Sequence, residues 1–262
     1  MRLSKWQALG NDYLLVEPAE LTEPLTAERV RYLCDYHYGV GSDGLLEIGG
    51  VDDDGVDLRI WNPDGSTAEL SGNGARIAIA WAARRSGARR VRLRVGDRVV
   101  EGEVGGDGDI ELHVGQVEVG ETEALDLEGE PIELTPVSTG NPHAVIRRDP
   151  ERAELRRLGP LVECHPRFPG RTNVQLVRVD GRHDLTVGVW ERGAGETLSS
   201  GTSAIAAAAA AIANGWCDSP ITVHLPGGDL TVELDGSGTA SLRGPVEEVC
   251  RIELVSGAGD DI

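Results

Sequence analysis

The chain has 262 residues, 40% of them hydrophobic, which fits one large domain or two of middling size and excludes a disordered chain. Its formal net charge is −19 and Lys5 is its only lysine, which excludes nucleic acid as a partner because phosphate binding needs basic patches. The N-terminal stretch lacks the apolar run of a signal peptide, and the alanine run Ala206–Ala211 is too short and weakly apolar to span a bilayer, so the expectation is a soluble cytoplasmic protein with no membrane partner.

In chain order, "TAERVRYLCDYHY" (Thr26–Tyr38) predicts a helix capped by Thr26, with Glu28 in its first turn. "GVGSDG" (Gly39–Gly44) matches G-x-G-x-x-G, but a helix precedes it and the strand-like "LLEIGG" follows. A dinucleotide site needs the reverse order, so this is no nucleotide loop. "VDDDGVDL" (Val51–Leu58) lacks calcium-loop spacing and reads as a hairpin tip. "RIWNPDGSTAELSGNGARIAIAWAA" (Arg59–Ala83) is a strand, a polar loop, an S-G turn and a small-residue helix. Period-two runs follow in "VRLRVGDRVVEGEV" and "IELHVGQVEV", with a hairpin turn at Gly106–Asp109 between them. After "LTVGVW" the first pattern returns as "GVWERGAGETLSSGTSAIAAAAAAI" (Gly188–Ile212), and "ITVHLP" and "LTVELDG" close the series.

The return is in register, because Trp61 and Trp190 are 129 residues apart and so are Ser71 and Ser200. The fold class expected is α/β (α+β): two pseudo-symmetric domains, each a curved, mostly antiparallel sheet wrapped around a central helix. The boundaries expected are 1–114 plus 246–262 for the first domain and 115–245 for the second, with the active site in the cleft between them. The unpaired N–H groups and partial positive charge of the two helix N-termini suit a small anionic substrate there.

The six histidines include no H-E-x-x-H and no i, i+4 pair, so no metal site is expected. Cys34, Cys164, Cys217 and Cys250 are widely spaced and read as reduced thiols. Neither serine sits in a G-x-S-x-G elbow or an S-x-x-K pair, which disfavours a serine hydrolase.

"LGNDY" (Leu9–Tyr13), "GVGSDGLL" (Gly39–Leu46), "NPDGSTAELSGNGAR" (Asn62–Arg76), "STGNPHAVI" (Ser138–Ile146), "HPRFPGRTNV" (His165–Val174), "ERGAGETLSSGTSA" (Glu191–Ala204) and "GPVEEV" (Gly244–Val249) together resemble the diaminopimelate epimerase family. The resemblance covers nearly the whole chain. It implies two pseudo-symmetric domains and interconversion of the LL and meso forms of diaminopimelate, with no cofactor, neither pyridoxal phosphate nor metal. It implies that Asn11, Asn62, Asn141, Asn173, Glu191 and Arg192 hold the distal amino-acid end of the substrate. The amides of Gly72, Asn73, Gly201 and Thr202 would hold the carboxylate next to the reacting carbon. Each residue also has a plainer reading: Asn62 as a turn former, Arg192 as a surface ion pair, His143 as a core histidine.

One departure outweighs the agreement. The family carries a catalytic cysteine before the glycine of each S-G turn, one on either face of the α-carbon; here those places hold Ser71 and Ser200. Natural substitution and deliberate replacement both fit. A thiol ionises near pH 8.5, whereas a hydroxyl is a poor base without a neighbour to take its proton. His143 and Glu191 are the candidate neighbours. Alternatives are an isomerase or lyase of the same fold that uses His143 or Glu191 as its base, and a non-catalytic amino-acid-binding relic. The partner expected is a small-molecule amino acid, with a homodimer as the plausible assembly.

Overall fold

The computed structural model describes residues 1–21, 23–52, 54–127 and 129–255. The chain divides into two compact units, one comprising Met1–Leu112 with the segment from Pro245 onward, the other His113–Gly244.

In the first unit, strand Arg2–Ala8 lies antiparallel between Asn11–Val16 and the returning strand Glu247–Glu253. Helix α1 (Ala27–Cys34) then carries the chain to Leu45–Asp52, which pairs in parallel with Asn11–Val16. Leu45–Asp52 forms a hairpin with Gly55–Trp61, closed by the pairing of Asp52 with Gly55. This is the expected tip; Asp53 lies outside the described residues. Helix α2 (Gly72–Ser86) leads to Arg90–Val95, which pairs in parallel with Gly55–Trp61 and antiparallel with Arg98–Val104. The Gly106–Asp109 turn is closed by the Gly105 N–H donating to the Asp109 carbonyl at 2.8 Å, with Gly108 at φ +94° as such a turn requires.

The second unit repeats this order. Pro142–Arg147 is followed by helix α3 (Arg152–Glu163) and then by its parallel partner Asn173–Gly181. That strand pairs antiparallel with Asp184–Glu191. Helix α4 (Gly201–Ala213) then leads to Ile221–Leu225, parallel to Asp184–Glu191, and a meander through Gly228–Leu234 and Thr239–Gly244 follows. The repeat seen in two residue pairs thus extends to whole elements in the same order.

Each central helix is buried around its circumference, over Asn73–Ala83 in α2 and over Ser203–Ala211 in α4. A helix without a solvent stripe must be enclosed, and small side chains let the sheet close on it. Accordingly α2 lies against the strands beginning at Arg2, Gly55, Arg90 and Arg98, and α4 against strands of its own unit on several sides. The fold class is therefore the one expected, a curled and mostly antiparallel sheet around a helix in each unit.

Two helical expectations need correction. α1 stops at Cys34 rather than Tyr38, because the Asp35 carboxylate accepts the N–H groups of His37 and Tyr38, both at 2.7 Å, and folds "DYHY" into a turn. Helix α3 was not anticipated: it contains Pro160 and its N-cap, Glu151, makes no side-chain capping bond. Packing holds it instead, through Leu155, Leu158 and Val162 in a core with Leu125, Ile146 and Leu176. Among the described residues, no helix is long and apolar enough to cross a membrane.

Candidate active site

In the first unit, Ser71 is the N-cap of α2, and its Oγ accepts the Gly74 N–H at 3.1 Å. The same oxygen lies 2.9 Å from the Tyr13 hydroxyl. The amides of Gly72 and Asn73 lie in the first turn of the helix, at its partially positive end. Asn73 is buried, and its Nδ2 donates to Asn11 Oδ1 at 3.0 Å; Asn11 Nδ2 in turn donates to Asp43 at 2.9 Å. Ser71, Gly72, Asn73 and Asn11 are thus joined around one helix end. Asn62 is tied into its own loop, with Nδ2 donating to Ser66 Oγ at 2.9 Å and its carbonyl accepting the Gly65 N–H. That geometry is the turn-forming role.

Arg76 was missed by the sequence reading. It is fully buried, donates from Nη2 to Asn73 Oδ1 at 2.8 Å, and has no hydrogen-bond partner for Nε or Nη1. Burial lowers its pKa to about 10. Because a guanidinium only donates, Asn73 Oδ1 must accept, which directs its Nδ2 toward Asn11. An arginine one turn into a stretch that is otherwise mostly small and apolar as far as Ala83 was the available signal.

In the second unit, Ser200 is the N-cap of α4 and is buried, but its side chain makes no capping bond, unlike Ser71. Gly201 and Thr202 open the helix. Around the neighbouring strands, Asn173 Nδ2 donates to the Pro142 carbonyl at 3.0 Å, and Asn173 Oδ1 accepts the Arg192 N–H at 2.9 Å. Asn141 Oδ1 accepts from Thr139 at 2.8 Å and from His143 Nε2 at 3.1 Å. Asn141, His143, Asn173 and Arg192 are therefore stitched together, with half-buried Glu191 beside Arg192. Arg192 is exposed and, among the described residues, pairs with no carboxylate, so the surface ion-pair reading fails; its Nη1 donates to the Gly170 carbonyl at 3.3 Å.

His143 is not set up as a base. It is buried, its Nδ1 accepts from Gln175 Nε2 at 3.0 Å, and Nε2 is left as the donor to Asn141. Burial, aided by the positive charge of Arg192, lowers its pKa to about 3. A group so weakly basic takes a proton poorly at neutral pH. The folded pKa lies below the ordinary value of about 6.5, so the unfolded chain binds the extra proton across that window. The stability tied to neutral His143 is complete above about pH 6.5 and falls as pH drops toward 3. His143→Gln keeps one acceptor and one donor but cannot titrate. Urea midpoints between pH 4 and 6.5 should fall less steeply for this variant than for the native chain; equal slopes would refute the assignment.

A groove in the first unit is lined by Glu47, Asp57, Arg59, Glu69, Arg94 and Arg98, among others, and by none of the expected site residues. Several of its charges are paired with one another, as in Arg59–Glu47, Arg94–Asp57 and Arg98–Glu69.

The family description "Diaminopimelate epimerase" matches residues 3–120 and 135–249. Diaminopimelate epimerase of Pseudomonas syringae pv. tomato is 38% identical over 267 residues, covering 95% of this chain and 97% of that protein. Diaminopimelate epimerase 2 of a Nostoc species is 37% identical, covering 97% and 95%. Among solved structures, a hydroxyproline epimerase from Agrobacterium vitis with bound trans-4-hydroxy-L-proline superposes with a TM-score of 0.72 at 15% identity, over 96% of this chain and 91% of that one. A PhzF-family phenazine biosynthesis protein from Bacillus anthracis gives 0.72 at 15%, over 97% and 99%. At such identity these structures share the fold alone, whereas the sequence relatives carry the assignment. The chain belongs to the diaminopimelate epimerase family.

Proposed function

We propose that the chain is a cofactor-independent isomerase that interconverts LL- and meso-diaminopimelate by removing and returning the α-proton. The observation that carries this reading is the repeated serine-headed helix N-terminus, set beside an asparagine- and arginine-rich cluster, in a chain 38% identical to a diaminopimelate epimerase. The first-turn amides of Gly72 and Asn73, and of Gly201 and Thr202, would neutralise the carboxylate next to the reacting carbon, favouring the carbanion that forms there. Arg192 would grip the distal carboxylate with its guanidinium fork, and Asn11, Asn62, Asn141, Asn173 and Glu191 would complete the distal contacts. Ser71 and Ser200 occupy the two proton-transfer positions, one from each repeat.

The serines make the chemistry slow, because neither hydroxyl yields an appreciable alkoxide near neutral pH. The low basicity of His143 counts against its acting as a substitute base. Proton NMR during incubation with LL-diaminopimelate in heavy water tests the reading. Loss of the α-proton signal with appearance of the meso form is the expected result, at a rate well below that of a cysteine enzyme. A persistent signal together with absent binding by calorimetry would overturn the substrate assignment. A persistent signal with intact binding would leave a binding protein in place of an isomerase.

A further inference from the structure

We propose that Tyr13 is the titrating group of the Ser71 position: Ser71 and Tyr13 form a proton relay in which the phenol, not the serine, supplies the acid–base capacity. This rests on the isomerase reading above.

Three observations in the first unit converge on it. Tyr13 Oη lies 2.9 Å from Ser71 Oγ, within the range of a direct hydroxyl–hydroxyl hydrogen bond. The Tyr13 ring is buried, and it fills the space a side chain at position 44 would need. A Cβ on Gly44 would meet Tyr13 Cε1 at 2.6 Å and the Trp61 carbonyl oxygen at 2.7 Å. The Leu14 N–H donates to the Gly44 carbonyl at 3.0 Å, which holds the two segments side by side. Glycine at 44 and tyrosine at 13 are therefore one packing solution that delivers a phenolic oxygen to Ser71. Thirdly, Ser71 Oγ accepts the Gly74 N–H at 3.1 Å at the positive end of α2, so negative charge on this oxygen is stabilised where it would arise.

The chemistry follows from relative acidity. A phenol ionises near pH 10, several units below an aliphatic hydroxyl, so in this pair the phenol loses its proton first. In the forward step the substrate Cα–H bond breaks and its electron pair stays on the α-carbon, delocalised into the adjacent carboxylate. The proton forms a new O–H bond to Ser71 Oγ as Oγ passes its own proton to the Tyr13 phenolate. The reverse step returns a proton by the same path. Atoms and charge balance with no further reactant.

The test is the exchange of the α-protons of LL- and meso-diaminopimelate in heavy water, followed by NMR from neutral to alkaline pH, with affinity measured by calorimetry. In the native chain the exchange of one isomer should rise about tenfold per pH unit across the alkaline range in which a phenol is still mostly protonated. Tyr13→Phe preserves the ring and should lower that exchange by about 10²–10⁴-fold without loss of affinity. Ser71→Ala should lower it equally, and the double variant no further, as expected of two groups acting as one unit. Adding Ser71→Cys to Tyr13→Phe should restore exchange, with the pH dependence moved to the thiol range near about 8.5. Native-rate exchange in Tyr13→Phe, or a native profile flat with pH, would overturn the relay. A native chain that exchanges neither isomer overturns it too, and the cysteine variant then separates the causes. If that variant exchanges, the substrate reading stands and the relay alone falls; if it does not, both fall together.

Discussion

Replacing Ser71 and Ser200 together by cysteine should raise diaminopimelate epimerisation by roughly 10²–10⁴-fold near pH 8, the usual contribution of a positioned general base. The argument is one of ionisation. A thiol with an ordinary pKa of about 8.5 is substantially thiolate at that pH, and each unit by which a helix N-terminus lowers the value is worth about 1.4 kcal/mol. A serine at the same helix end begins several units further away, and the same field cannot close that gap. The single variants are more informative than the double one. Ser71→Cys alone supplies one efficient proton acceptor, so it should wash the α-proton out of one isomer into heavy water with little inversion. Ser200→Cys alone should wash out the other. Inversion needs a donor on the opposite face, so only the pair should epimerise quickly. A double variant that binds diaminopimelate yet gains neither exchange nor inversion would refute two-base chemistry in this chain. The two positions also differ before any replacement: Ser71 bonds the Gly74 N–H and Tyr13, whereas Ser200 makes no capping bond. The Ser200 replacement should therefore give the larger proportional gain, because among the described residues no phenol hydrogen-bonds to Ser200.

The repeat was legible because it is written in local pattern. A period-two strand ending in tryptophan, a glycine-bearing turn and a helix of small residues recur in register, and each signal lies within one stretch of chain. The central position of α4 also follows from its composition, since alanine on all sides leaves little suited to face water; α2 is more mixed, with Arg84 and Arg85 in its exposed last turn. The site's wiring was not legible. His143 reads as a base from its motif, but Gln175, 32 residues away, occupies its Nδ1. Tyr13 enters the sequence reading only as the end of "LGNDY", but its hydroxyl meets Ser71, 58 residues away. Arg76 belongs to a residue type that is rarely buried. It is enclosed because α2 is enclosed, and its bond to Asn73 is the only local part of the arrangement. Helix α3 escaped notice because Pro160 and an uncapped start argue against a helix locally, while a core assembled from distant strands decides the matter.

Glu163→Ala should destabilise the second unit by about 3–5 kcal/mol, the cost of removing one partner from a buried, hydrogen-bonded charge. That is a large part of the roughly 5–15 kcal/mol that holds a typical domain folded. Glu163, the last residue of α3, is 4% exposed. It accepts the Trp190 indole N–H at 2.8 Å and the Gly193 N–H at 2.7 Å, and pairs with Arg171 at 2.9 Å. Truncation would leave the indole and amide donors without an acceptor, each costing about 1–3 kcal/mol if water cannot reach it. The Arg171 pairing is the minor part, because that guanidinium is half exposed and well screened; Arg171→Ala should cost less than about 1 kcal/mol. Glu163→Gln should fall between the two. Its amide oxygen can serve one donor, but its NH₂ must face the other. Urea unfolding of the three variants ranks them, and equal midpoints for Glu163→Ala and the native chain would refute the anchoring role. The same substitution bears on the site. Gly193 follows Glu191 and Arg192 in the hairpin that turns at φ +79°, so the carboxylate of α3 fixes the backbone from which both proposed substrate contacts project. Diaminopimelate affinity of Glu163→Ala should therefore fall even at low temperature, where the variant remains folded, while Arg171→Ala binds as the native chain does.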